Sequence, residues 1–306
     1  MFSFIFWRIV QIPFILAAIY TITFLMTIVV PGNPFQQTDR NVPEAVQRAV
    51  EARYGADDNL KFFFQYIGGV VRGDFGPSWK YQDWTCNQLI GAGLPVSLAL
   101  GMAAMLIATV TGVAAGVIGA VDRNGPFDAL VGMLVLVGIS LPLFVTGTVL
   151  LLVFAIKWPL LPVAGWGSIG KLILPAATLS LPFAAYIARL TRVGLIDVLS
   201  SDFVRTARAK GVGETSIVLK HALKNAFLPV LSYLGPATAA ALTGSFVVEK
   251  VFAVPGLGQH FVNAVLNQDR VMVLGTVLLY SVIIVVFNLV VDVLYGLVDP
   301  RVDLTG

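Results

Sequence analysis

Charge is what this sequence is short of. Of its 306 residues only 12% are Asp, Glu, Lys or Arg, against 57% hydrophobic, where soluble domains carry about 25% charged residues. That balance excludes an ordinary water-soluble domain, and a net charge of +3 reads as membrane topology and not as affinity for nucleic acid. A single cysteine, Cys86, excludes a disulfide framework within the chain and reads as a small, semi-buried residue. Catalytic patterns are missing too. There is no HExxH, GxSxG, CxxC or GxxxxGK(S/T), and no pair of carboxylates close together inside an apolar segment, so neither enzyme chemistry nor a cofactor is expected.

What the chain has instead is long apolar runs. About 20 consecutive apolar residues cross a bilayer, and six segments qualify: 9–30, 94–121, 130–156, 172–190, 227–248 and 271–298. The expected fold class is therefore all-α, a polytopic membrane protein with six transmembrane helices. Basic residues in short loops stay on the cytoplasmic side, and the stretch 191–225 carries Arg192, Arg205, Arg208, Lys210, Lys220 and Lys224 against Asp197, Asp202 and Glu214. Placing it inside puts the N-terminus with Arg8, the loop 122–128 with Arg123, and the tail 299–306 inside as well. Lys157, Lys171, Lys250 and Arg270 then fall outside, and His221 and His260 lie on opposite sides, so a shared metal is not expected. The first apolar run is too long for a cleavable signal, and Val29-Val30-Pro31-Gly32 is not a small-x-small site. The organisation is thus a first transmembrane helix in 1–30, an external segment in 31–93, and a five-helix core in 94–306.

The external segment predicts a helix from an Asn41 cap to about Tyr54, stopped by Gly55. A second helix, capped by Asp57 or Asp58, carries Leu60, Phe62, Phe63, Phe64, Tyr66 and Ile67, too apolar all round for a soluble helix. It is expected to lie on the membrane or to pack against the spans. Residues 73–78, Gly-Asp-Phe-Gly-Pro-Ser, form a turn-rich link. Within the spans, Pro95, Pro142, Pro175, Pro182, Pro229 and Pro236 are candidate bends, tolerated where protein or water satisfies the freed backbone groups. Gly112, Ala114, Ala115, Gly116 and Gly119 form a small-residue face suited to close helix approach. Asp292 is an acid inside the last span, on one face with Asn288 and Tyr295. It reads either as a functional intramembrane acid or as a hydrogen-bonded structural acid near the cytoplasmic interface.

The basic stretch predicts a helix through 203–210 capped by Ser200 or Ser201, a glycine stop at Gly211, and a second helix opened by Glu214. Arg205 and Arg208 share a face. By charge alone such a segment suits a cytoplasmic partner or anionic head groups equally.

The run from Phe203 to Gly211, FVRTARAKG, followed by Lys220-His221-Ala222-Leu223-Lys224-Asn225-Ala226 and Leu228-Pro229, resembles the ATPase-coupling loop of bacterial ABC importer permeases of the peptide/nickel branch. Pro31-Gly32-Asn33-Pro34-Phe35 is similar to that branch's first external signature. The stretch 73–81, GDFGPSWKY, looks like the B subunits of the oligopeptide permeases. The stretch 249–258, EKVFAVPGLG, is similar to the last external loop, and Asn288, Asp292 to Tyr295 and Asp299-Pro300-Arg301 match the C-terminal signature. The chain departs from the general importer pattern in having Arg205-Thr206-Ala207 where Glu-Ala-Ala is usual, which is a feature of the peptide branch. It also has Gln268-Asp269-Arg270-Val271 near the last span, and Lys220 and Lys224 in place of arginines.

The resemblance implies an importer-type permease fold in the bacterial inner membrane and a non-enzymatic pore subunit of an ATP-driven oligopeptide importer. It implies a second homologous permease subunit as heterodimer partner, two cytoplasmic ATPase subunits, and a periplasmic or lipid-anchored peptide-binding protein. Phe203, Arg205, Ala207, Arg208, Lys210, Gly211 and Glu214, within the coupling loop 191–226, would contact the ATPase. Asp74, Glu249, Pro255, Gly256 and Gly258 would serve binding-protein docking or gating, with Asn288 and Asp292 as intramembrane polar candidates. Import of dipeptides, murein peptides or nickel is the alternative within the branch. A secondary transporter would call for more intramembrane ionisable groups than Asp292 and for inverted repeats between the halves, and none is evident.

Overall fold

The computed structural model describes residues 2–29, 58–78, 84–243 and 246–298. The expected helix at 41–54, the signature at 31–35, the end of the motif at 79–81 and the terminal 299–301 lie outside them. Among the described residues the structure is helical, apart from an isolated antiparallel bridge between Pro77 and Thr85. In chain order the helices are α1 (Phe2–Val29), α2 (Asn59–Val71), α3 (Cys86–Val121), α4 (Pro126–Ser140), α5 (Leu143–Leu151), α6 (Ile169–Leu199), α7 (Asp202–Ala209), α8 (Glu214–Ser216), α9 (Leu223–Ala226), α10 (Leu228–Leu242), α11 (Phe246–Val251), α12 (Leu257–Leu266) and α13 (Arg270–Val298). A π-helical segment, Leu152–Lys157, prolongs α5, and another, Ile217–Ala222, joins α8 to α9.

Among the described residues four helices are long and apolar enough to cross a membrane: α1, α3, α6 and α13. The third predicted span is not one rod. It breaks between α4 and α5 with a bend of 111°. Pro142 lacks the N–H that would continue the helix, and the residue before a proline is driven out of the helical region; Leu141 is accordingly extended at φ −82°, ψ 132°. The fifth predicted span is also shorter than expected. Helix α10 has 15 residues, about 22 Å at 1.5 Å per residue, and ends at Thr243 instead of continuing to 248.

The described chain divides into two compact units, one of Ala99–Val254 with the chain from Val286 onward, the other of Phe2–Leu98 with Pro255–Val285. In the second, Tyr20 and Phe24 of α1 pack with Phe62 and Tyr66 of α2, Cys86, Leu89 and Ile90 of α3, and Met272 and Leu274 of α13. Asp58 caps α2 by accepting from the Leu60 and Lys61 amides. The Tyr66 hydroxyl donates to the Val271 carbonyl at 2.9 Å and that of Tyr20 to the Phe63 carbonyl at 2.8 Å. Phe62 is therefore buried, Phe63 half-buried and Phe64 exposed. The apolar helix packs against the spans, and only part of it looks outward.

In the first unit the small residues of α3 do what their spacing suggests. A methyl group on Gly112 would lie 2.6 Å from the Ala184 carbonyl oxygen, and one on Gly116 would lie 2.6 Å from that of Ala188 and 2.5 Å from the Thr191 Cβ. Backbone of α3 thus rests directly on α6, the arrangement that small-xxx-small spacing permits.

Two consequences are measurable. Gly116→Leu is expected to destabilise the detergent-solubilised protein by about 2–3 kcal/mol, because the clash is with backbone that cannot rotate away. A thermal midpoint equal to wild type would show that the two helices do not meet there. Ala253 sits in the left-handed region at φ 48°, so Ala253→Gly should raise stability by about 1 kcal/mol, read as a higher midpoint.

Candidate functional site

Helix α7 follows α6 after two serines. One or the other is the expected cap of α7, and Ser201 does occupy the N-cap position, but without a side-chain cap bond. Instead the Ser200 hydroxyl donates to the Asp197 carbonyl at 2.7 Å and the Ser201 hydroxyl to the Val198 carbonyl at 2.6 Å. The carbonyls at the end of α6 lack intrahelical partners, and the serines satisfy them. Asp202 in the first turn of α7 and Arg208 in its last are each favourable to the helix dipole.

The eight residues of α7 offer almost nothing to a core. Val204 is buried and Ala207 half-buried, three residues apart on one face; Phe203, Arg205, Thr206, Arg208, Ala209 and Lys210 are exposed. That single face packs against the π-helical segment Ile217–Ala222, itself anchored by buried Ile217, Val218 and Ala222. The helix stops as predicted. Gly211 takes φ 77°, its amide donates to the Arg208 carbonyl at 2.9 Å, and the Val212 amide donates to the Ala207 carbonyl at 3.2 Å. These two bonds are the Schellman closure. The chain then turns so that Glu214 accepts both Arg208 Nε at 2.6 Å and an Arg208 terminal nitrogen at 3.1 Å. This planar fork holds the Glu214 carboxyl below its ordinary range. Arg205 stands differently: its contact with Asp202 is 3.5 Å long, with both side chains largely in solvent. Of the seven residues expected to couple, Phe203, Arg205, Arg208 and Lys210 thus present exposed side chains, while Ala207, Gly211 and Glu214 shape the corner.

The external candidates separate. Asp74 orders the turn at 73–78 by accepting from the Gly76 amide at 2.9 Å. Asn87 of α3 accepts from the Phe75 amide and donates to the Gly73 carbonyl. The Ser78 hydroxyl donates to Asp269 at 2.7 Å, and the other Asp269 oxygen accepts from the Met272 amide at 3.0 Å. Asp269 therefore caps α13 and ties the external motif to it, a role that its place in a departing tetrapeptide did not disclose. Gly256 and Gly258 are buried and Pro255 exposed. The Leu257 amide at the start of α12 donates to Ser97 of α3, and a methyl on Gly93 would lie 2.9 Å from that amide nitrogen. Helix α12 begins at Leu257, with Gly256 as its N-cap. Glu249, expected on a docking surface or gate, is fully buried, and its side chain does not reach the surface. Asn288 and Asp292 are half-buried four residues apart on α13, beside Val291, which fills the notch at Gly235 of α10. The side chain of Tyr295 lies outside the described residues.

One constellation had no signal in the sequence. Asp128, in the first turn of α4, receives Arg192 of α6 through Nε at 2.5 Å and a terminal nitrogen at 2.6 Å, and also the Asn124 amide at 2.9 Å. The partners are 64 residues apart, and each looks like a loop charge when read alone. Arg192→Gln is expected to lower the thermal midpoint clearly and Arg189→Gln hardly at all. Equal midpoints for the two variants would show that the pair does not tie α4 to α6.

Comparison with known proteins places these elements. Residues 112–304 match the family described as binding-protein-dependent transport system inner membrane component. The dipeptide transport system permease protein DppB of Bacillus subtilis is 44% identical over 94% of this chain and 93% of its own. The oligopeptide transport system permease protein OppB of Haemophilus influenzae is 42% identical over 99% of both, and that of Salmonella typhimurium 45% over 92% and 93%. Among solved structures, an inward-facing conformation of the MetNI methionine ABC transporter superposes with a TM-score of 0.56 at 19% identity, over 69% of this chain and 96% of that one.

Proposed function

Because the chain belongs to the binding-protein-dependent transport system inner membrane component family, we propose that it forms one half of the pore of an ATP-driven importer of short peptides. It is a multi-pass protein of the bacterial inner membrane with an importer permease fold. Full-length similarity to oligopeptide and dipeptide permeases alike supports a peptide cargo, with dipeptides as the second reading. In this proposal a second permease subunit completes the pore, an external binding protein delivers peptide, and two cytoplasmic ATPases supply the energy.

The observation that carries the reading is α7. An exposed helix between two spans, closed by Gly211 and braced by Arg208–Glu214, is a shaped peg for a partner's groove. Phe203, 45% exposed, supplies an apolar anchor, and Arg205 and Lys210 the charge. Nucleotide binding that closes the ATPases would move this peg, and α6 runs without interruption from Ile169 to Leu199 beside it, so the displacement would reach the spans. ATP supplies the differential affinity for two states that any such switch needs. Pro255, Gly256, Gly258 and Asp74 would shape the external face, and buried Glu249 would act from within as a gate or anchor.

This corner can be tested in three ways. Gly211→Val should reduce peptide uptake at least tenfold while the protein still assembles, because the left-handed conformation costs a β-branched residue about 1–2 kcal/mol. Gly211→Asn should retain most uptake. No methyl at Gly211 would touch another atom, so backbone conformation alone is being tested, and normal uptake by the valine variant would sink the assignment. Arg205→Glu should weaken co-purification of the ATPases. Arg208→Glu should do so only in part when paired with Glu214→Arg, which restores the brace. Unchanged ATPase recovery from Arg205→Glu would count against docking at α7. The brace is present above the ordinary glutamate value of 4.5 and is lost only as pH falls through the lowered value. ATPase recovery should therefore be insensitive to pH between 7 and 5 as far as this pair determines it.

A further inference from the structure

Beside the Asp128–Arg192 pair lies an open crevice of about 340 Å³ between α4 and α6. We infer that it is a binding site for an anionic phospholipid of the cytoplasmic leaflet, with the phosphate at Arg189 and an acyl chain along Gly132 and Val135. Three observations point there. First, the charge at its rim is uncompensated. Asp128 is satisfied by Arg192 and the Asn124 amide, while Arg189 is exposed on α6 and makes no ion pair among the described residues. The two guanidiniums and one carboxylate leave a net positive mouth.

Second, the crevice changes character along its length. From Asp128 to Val135 is seven residues, about 10 Å along α4, and over that distance the lining passes from Asn124, Asp128 and Arg192 to Val131, Gly132 and Val135. A methyl placed on Gly132 would meet nothing within 4 Å, so the trough is open where a chain would lie. Third, the surroundings say which anion. Helix α4 exposes Phe127, Leu130, Met133, Leu134, Leu136 and Ile139, a surface that hydrocarbon covers readily and water only at a cost. A crevice opening onto it receives its ligand from the bilayer. Basic pockets between helices on the cytoplasmic side suit anionic head groups, and the orientation drawn from the basic loops puts this end inside. The inference needs that orientation but not the cargo, so a failure here would leave the peptide-import reading untouched.

The test is native mass spectrometry of the full chain purified in mild detergent, titrated with phosphatidylglycerol or phosphatidylcholine. Wild type should retain one phosphatidylglycerol per chain in preference to phosphatidylcholine. Arg189→Gln should weaken retention about tenfold, as expected for loss of one charge-assisted contact. Gly132→Leu, whose Cβ meets no atom within 4 Å and whose side chain would enter the trough, should weaken it comparably, and glycerol 3-phosphate should not compete. Equal retention by wild type and Arg189→Gln overturns the site. Competition by glycerol 3-phosphate, with Gly132→Leu unaffected, would make it a site for a soluble anion and overturn the lipid assignment. Disulfide capture of a second permease subunit by Gly132→Cys would show that protein covers this face, and would overturn it equally.

Discussion

Every helix leaves its last carbonyls without partners, and at a membrane there is little water to take them. In this protein four helix ends answer that constraint with one device. At the ends of α2, α7, α11 and α12 the amide two residues past the cap returns to the carbonyl five residues before it: Asp74 to Gly69, Val212 to Ala207, Val254 to Glu249 and Asp269 to Ala264. The device requires a left-handed residue in between, and Gly73, Gly211, Ala253 and Gln268 supply it. Those four corners also bound the motif at 73–78, the stretch 249–258 and the basic helix α7. Closure of the helices and placement of the functional loops are one structural event, since the residue that ends each helix also fixes the direction in which the next segment leaves.

Helix approach is the second constraint, and it centres on α6. Gly112 and Gly116 bring the backbone of α3 onto α6, and Asp128 with Arg192 ties α4 to α6. Helix α6 therefore holds α3 and α4 through contacts with little slack, one of backbone on backbone and one of a bidentate ion pair. Its last carbonyls are closed by Ser200 and Ser201, so it is ordered up to the residue where α7 begins. A rod that is tightly held along its length and continuous to a surface helix suits transmission of a displacement, whereas a frayed end would absorb it.

The legible part of this structure was whatever depends on local sequence. Composition revealed the membrane class, hydropathy located the long spans but not all their ends, since α3 starts eight residues before the expected 94 and α6 runs nine past the expected 190, and Gly211 after an amphipathic octet gave the turn that closes α7. Proline was legible only as a possibility. Pro95, Pro175, Pro182 and Pro236 all lie inside helices that continue through them, Pro229 lies in the first turn of α10 just after α9 ends, and Pro142 separates α4 from α5 at 111°. Whether a proline breaks a helix depends on what else can satisfy the freed carbonyl, and that is tertiary information. The same holds for Asp128 with Arg192 and for Ser78 with Asp269, 64 and 191 residues apart. The burial of Glu249 was hidden for the converse reason: an acid beside Lys250 looks like a surface pair until its neighbours are known.

Helix α7 shows why such non-local support matters. Isolated helices shorter than about 12–15 residues are marginal in water, and α7 has eight residues with one fully buried side chain, Val204. Its own packing is too small to hold it. What orders it is the boundary on each side: the serine-closed end of α6 before it, and after it the left-handed Gly211 and the Arg208–Glu214 fork. Order imposed from the ends leaves the outward face free of structural duty, so Phe203, Arg205 and Lys210 can be chosen for a partner without loss of the helix. A segment built this way keeps its shape when the partner is absent, and the partner does not have to fold it on binding. A small contact made by such a segment would lose little of its free energy to ordering the chain.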